Sequence, residues 1–318
     1  MTAIDLLLAV GLDAAIGDPR WLPHPVRAIG AVIAWCDEHV RNLCRSPWRL
    51  RLAGICLALL IPASAYLVGR FAIEQAGSVS SWLGHAVSIG LAFTTLAGRD
   101  LLDHVRAVSH ELVNGSLPGA RRAVARIVGR DTETMPEPEI IRATVETIAE
   151  STADGIIAPL VYLMIGGAPL ALAYKAVNTL DSMIGHRDAR YEHLGWASAR
   201  LDDLANWIPA RLTAGLIAIA AGLATGQWRR VSESWGICQR DGYKHPSPNS
   251  GRPEAAMAGA LGVQLGGVNY YDGHPQARPQ LGDGARTLVL NDIHMASRLL
   301  LISYGLGLLL AMTALWIT

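Results

Sequence analysis

Charge is scarce in this sequence. Only 17% of its residues are Asp, Glu, Lys or Arg, against roughly 25% in an average soluble domain. Basic and acidic residues number 27 each, so no basic field is available to hold nucleic acid. No block of like charge forms an interaction tail either. Cysteine is confined to Cys36, Cys44, Cys56 and Cys238, with no CxxC pair. That spacing excludes a disulfide scaffold, argues against a zinc site, and suits a reducing cytoplasmic face. Phenylalanine occurs twice and lysine only at Lys175 and Lys244, against 25 arginines. Neither a GxxxxGK[ST] loop nor a GxGxxG fingerprint occurs, which removes the commonest nucleotide-binding signatures.

What remains is apolar. Hydrophobic residues make up 51% of the 318 residues and mean hydropathy is +0.28, which excludes a disordered chain and describes a membrane protein with polar loops. Crossing a hydrocarbon core takes ~20 apolar residues. Segments 52–69, 79–98 and 299–318 approach that length, as do 208–225, with Pro209 and Arg211, and 155–174. The last is interrupted by Pro159, Gly166, Gly167 and Pro169; a broken segment persists in a membrane only where protein or a water-filled cavity satisfies its backbone. Segment 1–17 carries Asp5 and Asp13 and either spans or lies in the interface; with no early Lys or Arg it does not read as a signal peptide. Arginines concentrate in 18–51, 99–154 and 226–298, which the positive-inside rule places in the cytoplasm. Within 99–154, Leu101, Val105, Val108 and Leu112 keep helical spacing, and further helices are expected through Val124 and Ile127 and over 139–152. Strand signals are weak. The expected fold is all-α: a single polytopic integral membrane domain over 1–318, with about five to six membrane segments and helical cytoplasmic loops.

Polar residues crowded against apolar runs are functional candidates, and five groups stand out. Asp18-Pro19 with His24-Pro25-Val26-Arg27 forms a stiff, proline-framed loop, or simply a capped turn. Glu146, Glu150 and Asp154 share a helical face beside Ser151, and stacked carboxylates suit Mg²⁺; a solvated helix end is the plainer alternative. Lys175, Asn178 and Ser182 share another face with Asp181 at its flank; Lys175 is either a phosphate ligand or a snorkelling lysine. Arg200, Asp202, Asp203, Asn206 and Trp207 form a fourth group, which an Arg200–Asp203 ion pair would also explain. The fifth runs from Lys244 through Ser247 and Asn249 to Pro253-Glu254; such a helix start can bind an anion through backbone N–H groups, or serve as a structured linker.

In order along the chain, five blocks resemble the adenosylcobinamide-phosphate synthase family of cobalamin biosynthesis, the CobD/CbiB family. They are Asp18-Pro19 with His24-Pro25-Val26-Arg27, Glu150-Ser151-Thr152-Ala153-Asp154-Gly155, the run 174–183 (YKAVNTLDSM), the run 195–203 (GWASARLDD), and Ser247-Pro248-Asn249 with 253–261 (PEAAMAGAL). The resemblance implies a multi-pass enzyme of the cell (inner) membrane with its active site facing the cytoplasm. It implies amide-bond formation between (adenosyl)cobyric acid and aminopropanol or ethanolamine phosphate, driven by ATP and Mg²⁺ through an acyl phosphate. Partners would be these small molecules, the lipid bilayer and other corrinoid-assembly enzymes, with no nucleic acid. The resemblance leads us to assign Glu150 and Asp154 to Mg²⁺, Lys175 to phosphate, Asn178 and Asp181 to orienting phosphate or amine, and Lys244, Ser247 and Asn249 to a second phosphate. Asp18 and His24 serve as acid/base or complete the pocket, and Arg27, Ser182, Arg200, Asp203 and Glu254 complete the substrate-binding set. The competing readings are a non-enzymatic membrane sensor and a corrinoid transporter.

Overall fold

A capping box opens the chain. Thr2 Oγ1 accepts from the Asp5 N–H at 3.1 Å while the Asp5 carboxylate accepts from the Thr2 N–H at 2.8 Å, which fixes the start of α1 (Ala3–Ile16). Prolines open α2 (Pro25–Leu43) and α3 (Pro47–Val79), where a missing N–H costs nothing. Ser80 alone separates α3 from α4 (Ser81–Phe93) and caps it, and α4 folds back so that Gly84 meets Gly77 of α3. Then follow α5 (Gly98–Val113), α6 (Leu117–Val124), α7 (Glu137–Thr152), a π-helical turn (Ala153–Ile157) and α8 (Ala158–Ile184). The last part of the chain contains α9 (Trp196–Ala205), α10 (Trp207–Thr225), α11 (Arg229–Asp241), α12 (Gly251–Leu261), strands β1 (Leu265–Tyr271) and β2 (His274–Leu281), and α13 (Leu290–Ile317). The computed structural model describes every residue except Arg20, Leu22, Arg187, Ala285 and Thr318.

Four helical runs among the described residues are long and apolar enough to cross a membrane: Pro47–Val79, Glu137–Ile184, Trp207–Thr225 and Leu290–Ile317. They correspond to the expected segments 52–69, 155–174, 208–225 and 299–318. The break expected in 155–174 lies in α8, where Gly166 and Gly167 leave helical geometry and Gly167 takes φ 64°. Segments 1–17 and 79–98 fall on α1 and α4, of 14 and 13 residues; at about 20 Å each they fall short of a ~30 Å hydrocarbon core. The outer surface is apolar. Helix α3 exposes Leu52, Leu59, Leu60, Leu67, Val68 and Phe71, α13 exposes Leu301, Leu309 and Leu310, and all nine tryptophans are exposed. Such a surface suits lipid and its interface. The chain is an all-α membrane protein with one short hairpin among the described residues.

That hairpin is the departure from the helical expectation. Its two-residue loop is Asp272-Gly273, with φ 49° and 77°, the geometry of a type I′ turn. The Asp-Gly pair is the local signal for it in the sequence. A bulge between Leu265 and Gly267 interrupts the pairing.

The chain divides into two compact units: Met1–Ala97, Ala158–Asn206 and Leu308–Thr318 form the first, Gly98–Ile157 and Trp207–Gly307 the second. The first unit's core gathers Ile33 of α2, Ile61 of α3, Ala176, Leu180 and Ile184 of α8, and Leu194. Here α3 approaches main chain directly, since a Cβ on Gly54 would stand 2.0 Å from the Leu194 carbonyl oxygen. In the second unit every residue of α12 from Pro253 to Leu261 is buried. Its alanines and glycines let neighbours come close, as at Gly259, where a Cβ would lie 2.8 Å from Ser234 Cα.

Gly54→Ala should therefore destabilise the first unit by about 1–3 kcal/mol, the usual cost of overpacking. A lower thermal midpoint in detergent would show it. Gly11→Ala, where a Cβ meets nothing within 4 Å, should leave the midpoint unchanged or raise it.

Candidate functional site

In the second unit the site grows from α7. Between residues 140 and 164 only Glu150 is exposed. Its carboxylate is held from the loop before α12, where Ser250 Oγ donates to Oε1 at 3.0 Å. Two more glutamates flank it, Glu146 one turn earlier on α7 and Glu254 on α12, both buried.

Glu146 is fully compensated. Arg130 Nη2 lies 2.5 Å from Oε2, Arg142 Nη1 lies 3.6 Å from Oε1, and the Gly266 N–H donates to Oε1 at 2.8 Å. The same arginines fasten the hairpin. Arg142 donates to the carbonyls of Gly266 and Val268, and both Arg130 and Arg142 donate to Asn269 Oδ1, at 2.6 and 3.0 Å. The clamped hairpin presents Arg278 of β2, whose charge acts on Glu150 and Glu254.

Glu254 differs. Among the described residues its carboxyl has no ion pair and no hydrogen bond. Burial first, then the charges of Glu146 and Glu150, push it well above the ordinary carboxylate range, with Arg130 and Arg278 opposing. Two carboxyls whose charges act on each other invite a cation or a shared proton. Among the described residues no group of three His, Cys, Asp or Glu closes around a metal. Mg²⁺ needs none, because it binds through one or two carboxylates with waters and substrate phosphates. Glu150 with Glu254 fits that donor set. Asp154, expected beside Glu150, sits half-buried in the π turn that follows α7.

The loop before α12 is tied together by its own side chains. Ser247 Oγ accepts from the N–H groups of Asn249 and Ser250, both at 3.3 Å, and the Ser247 N–H donates to His245 Nδ1 at 3.1 Å. Burial and the Arg278 charge push the His245 imidazole below its usual range. Lys244 is turned away, donating to buried Asp241 at 2.6 Å. Asp241 also accepts from Arg240 at 2.7 Å and from the Gly282 N–H at 2.9 Å, and these partners hold its carboxyl well below the usual range. The structure thus joins Ser247 and Asn249 in one turn and places Lys244 in an ion pair.

The first unit carries a second polar cluster, between α8 and α9. Lys175 Nζ donates to Asn178 Oδ1 at 3.5 Å, and the Asn178 side chain also bonds Asp202. Asn206 Nδ2 donates to Asp202 at 3.0 Å, and Tyr174 OH donates to Asn206 Oδ1 at 2.9 Å. Tyr162 stacks on Tyr174 at 4.7 Å and donates to the Ala205 carbonyl. Asp202, on α9 and a member of the fourth candidate group without an assigned role, is the centre of this cluster. Burial, then the Asp181 charge, raises its carboxyl to about 7. The i, i+4 spacing of Asp202 and Asn206 was the available signal. Arg200 and Asp203 form the anticipated ion pair at 3.6 Å, and Ser182 bonds back to the Thr179 carbonyl. Also in the first unit, Asp18 Oδ1 lies 3.5 Å from His24 Nε2 and 4.0 Å from Arg27 Nη2, so the opening loop brings those three together.

Two expectations follow. Removing Glu146 by Glu146→Ala leaves two guanidinium groups buried without a counter-charge and should cost about 3–5 kcal/mol, seen as a lower thermal midpoint and faster proteolysis of the hairpin. Asp202 binds its proton more tightly folded than unfolded, so the stability it adds is full below pH 3.8 and is lost as pH rises toward about 7. Asp202→Asn should flatten the melting temperature across that window.

These features define a class: a helical membrane protein with clustered carboxyls in each of two compact units. The chain belongs to the CobD/CbiB family, whose profile, described as "CobD/Cbib protein", matches residues 6–300. It is similar to the cobalamin biosynthesis protein CobD of Geobacter metallireducens, 53% identical over 283 residues that cover 89% of this chain and 87% of that one. CobD of Yersinia enterocolitica is 44% identical, covering 98% of this chain and 96% of its own. The cobalamin biosynthesis protein CbiB of Salmonella typhimurium is 43% identical, covering 99% and 98%. No solved structure matches the chain.

Proposed function

We propose that this chain is a cobalamin-biosynthesis enzyme of the adenosylcobinamide-phosphate synthase type. It would join (adenosyl)cobyric acid to aminopropanol or ethanolamine phosphate with consumption of ATP. The observation that carries the reading is the family match over residues 6–300, together with relatives whose names place them in cobalamin biosynthesis.

The chemistry explains why such residues are needed. A carboxylate repels nucleophiles and offers no good leaving group. Its oxygen attacks the terminal phosphorus of ATP, ADP departs, and an acyl phosphate results. The amine then attacks the acyl carbon, phosphate leaves, and a base takes the proton released from nitrogen. Donors must stabilise the oxyanion, and water must be kept from the acyl phosphate.

The roles divide by unit. In the second, Glu150 with Glu254, and Asp154 further along, would hold Mg²⁺ on the nucleotide. When bound, that ion supplies charge neutralisation at the transferring phosphoryl group. Arg278 adds a cation beside these acids. Ser247 and Asn249 shape the loop that steers Ser250 onto Glu150, while Lys244 serves the Asp241 ion pair more than a phosphate. In the first, Lys175 contacts phosphate, and Asn178 and Asp181 orient phosphate or amine. Asp202, titrating near neutrality, suits the proton transfer, with Asp18 and His24 as a further acid/base pair. The arginine-rich segments 99–154 and 226–298, with two apolar runs between them, would face the cytoplasm from the inner membrane, where other corrinoid-assembly enzymes can dock.

The test is purified, detergent-solubilised protein with ATP, Mg²⁺, cobyric acid and aminopropanol phosphate. The expected result is phosphate release and a corrinoid heavier by the aminoalcohol phosphate, requiring all four components. Glu150→Gln and Lys175→Met should each lower kcat by roughly 100-fold or more with folded protein retained. Full activity in both would overturn the site. Corrinoid uptake into proteoliposomes without nucleotide consumption would replace the ligase by a transporter, and binding with neither product nor uptake would replace it by a sensor.

A further inference from the structure

Around α11 of the second unit, arginines are compensated by acids. Arg229 and Arg230 pair with Glu233, Arg240 with Asp241 and Asp283, and Arg286 with Asp292. Arg211 of α10 and Arg252 of α12 are not, since no carboxylate among the described residues stands within ion-pair range of either. Both line one cavity of about 270 Å³, walled otherwise by Ala214, Trp235, Cys238 and Gln239. Each guanidinium feels the charge of the other. Two like charges sharing a partly dry cavity are unfavourable unless an anion joins them.

The geometry of each group is set by its surroundings. Arg211 Nη1 donates to the Trp207 carbonyl at 2.7 Å, and its guanidinium lies over the Trp207 ring at 4.2 Å. That anchorage leaves its other N–H groups for a ligand. Arg252 stands in the first turn of α12 beside the buried Cys238 thiol. Its Nε is buried without a hydrogen-bond acceptor, an uncommon state for a strong donor. The acidic cluster does not supply the missing charge. Arg252 and Glu254 are two residues apart on α12, about 200° around the helix, and Glu254 is turned toward Glu146 and Glu150.

We propose that Arg211 and Arg252 form a binding site for a phosphate-ester anion, the chemistry shared by an anionic lipid headgroup and a free phosphate ester. Guanidinium forks match phosphate oxygens in pairs. The exposed Trp235 gives the cavity an aromatic wall, and Gln239 adds an amide donor. Arg211 and Trp207 stand at the opening of the run Trp207–Thr225, the level at which interfacial tryptophans and lipid phosphates lie. This site is independent of the ligase reading.

Two probes separate the sources. The full-length protein is titrated in detergent with inorganic phosphate by calorimetry. It is also placed in phosphatidylcholine nanodiscs with or without phosphatidylglycerol, and retained lipid is counted by native mass spectrometry. Arg211→Gln and Arg252→Gln should each weaken binding by about tenfold or more, the loss of a charge-assisted hydrogen bond. Retention of phosphatidylglycerol by the wild type, lost in the variants, identifies a lipid headgroup site. Phosphate binding with no lipid preference identifies a site for a free ester. If Arg252→Gln does not fold, Arg252→Lys keeps the charge without the fork and should bind with intermediate affinity. Equal binding of both probes by wild type and Arg211→Gln overturns the proposal.

Discussion

The buried group Arg130–Glu146–Arg142 is the constraint on which the second unit depends. Three charges taken out of water are tolerable only when every strong donor and acceptor is used. Here the second half of each guanidinium finds Asn269 or a hairpin carbonyl, and the second oxygen of Glu146 finds the Gly266 amide. A two-stranded hairpin is marginal by itself. Its attachment to α7 through these bonds makes it a fixed element, and its fixity places Arg278 near Glu150 and Glu254. Compensation in one place sits beside imbalance in another: Glu146 is ion-paired on both sides, while Glu254 is not and feels the charge of Glu146 as well.

The first unit follows the same logic with weaker charges. Asp202 is enclosed by amides and a tyrosine pair and not by arginines. Amides satisfy its oxygens without neutralising it, and Asp181 acts on it as a like charge, so its affinity for a proton rises. An acid held this way changes state near neutrality, which a salt-bridged one does not. The contrast with Asp241, bound by Arg240 and Lys244, shows one residue type given opposite behaviour by its partners.

Much of this was legible in the sequence because bilayer insertion imposes length and composition. The four long apolar helices, the break at Gly166-Gly167 and the helical loop from Gly98 to Thr152 all follow from hydrophobic spacing and glycine or proline punctuation. Segments 1–17 and 79–98 were apolar enough to span, but α1 and α4 are too short to do so alone, because Gly17 and the Thr94-Thr95 turn end them early. The hairpin was missed because a single Asp-Gly pair is a small signal between polar strands. Among the site residues, Glu150 and Lys175 stood out because acids and lysines are rare beside apolar runs. Asp202 stood in a recognised group, yet the Arg200–Asp203 pair drew the attention, since ion-pair spacing is visible locally and burial is not.

The sequence by itself determined that this is an all-α membrane protein of the CobD/CbiB family. Those properties reside in composition, periodicity and short ordered motifs. Tertiary structure alone decided which charges are cancelled and which are left. Lys244 lies on Asp241, Glu146 lies between two arginines, and Glu254, Arg211 and Arg252 have no opposite charge in ion-pair contact among the described residues. The reason is physical: a charge acts over a few ångströms of space, and the opposite charges that reach it come from residues as many as 153 positions away along the chain, as at Asp37 and Arg190.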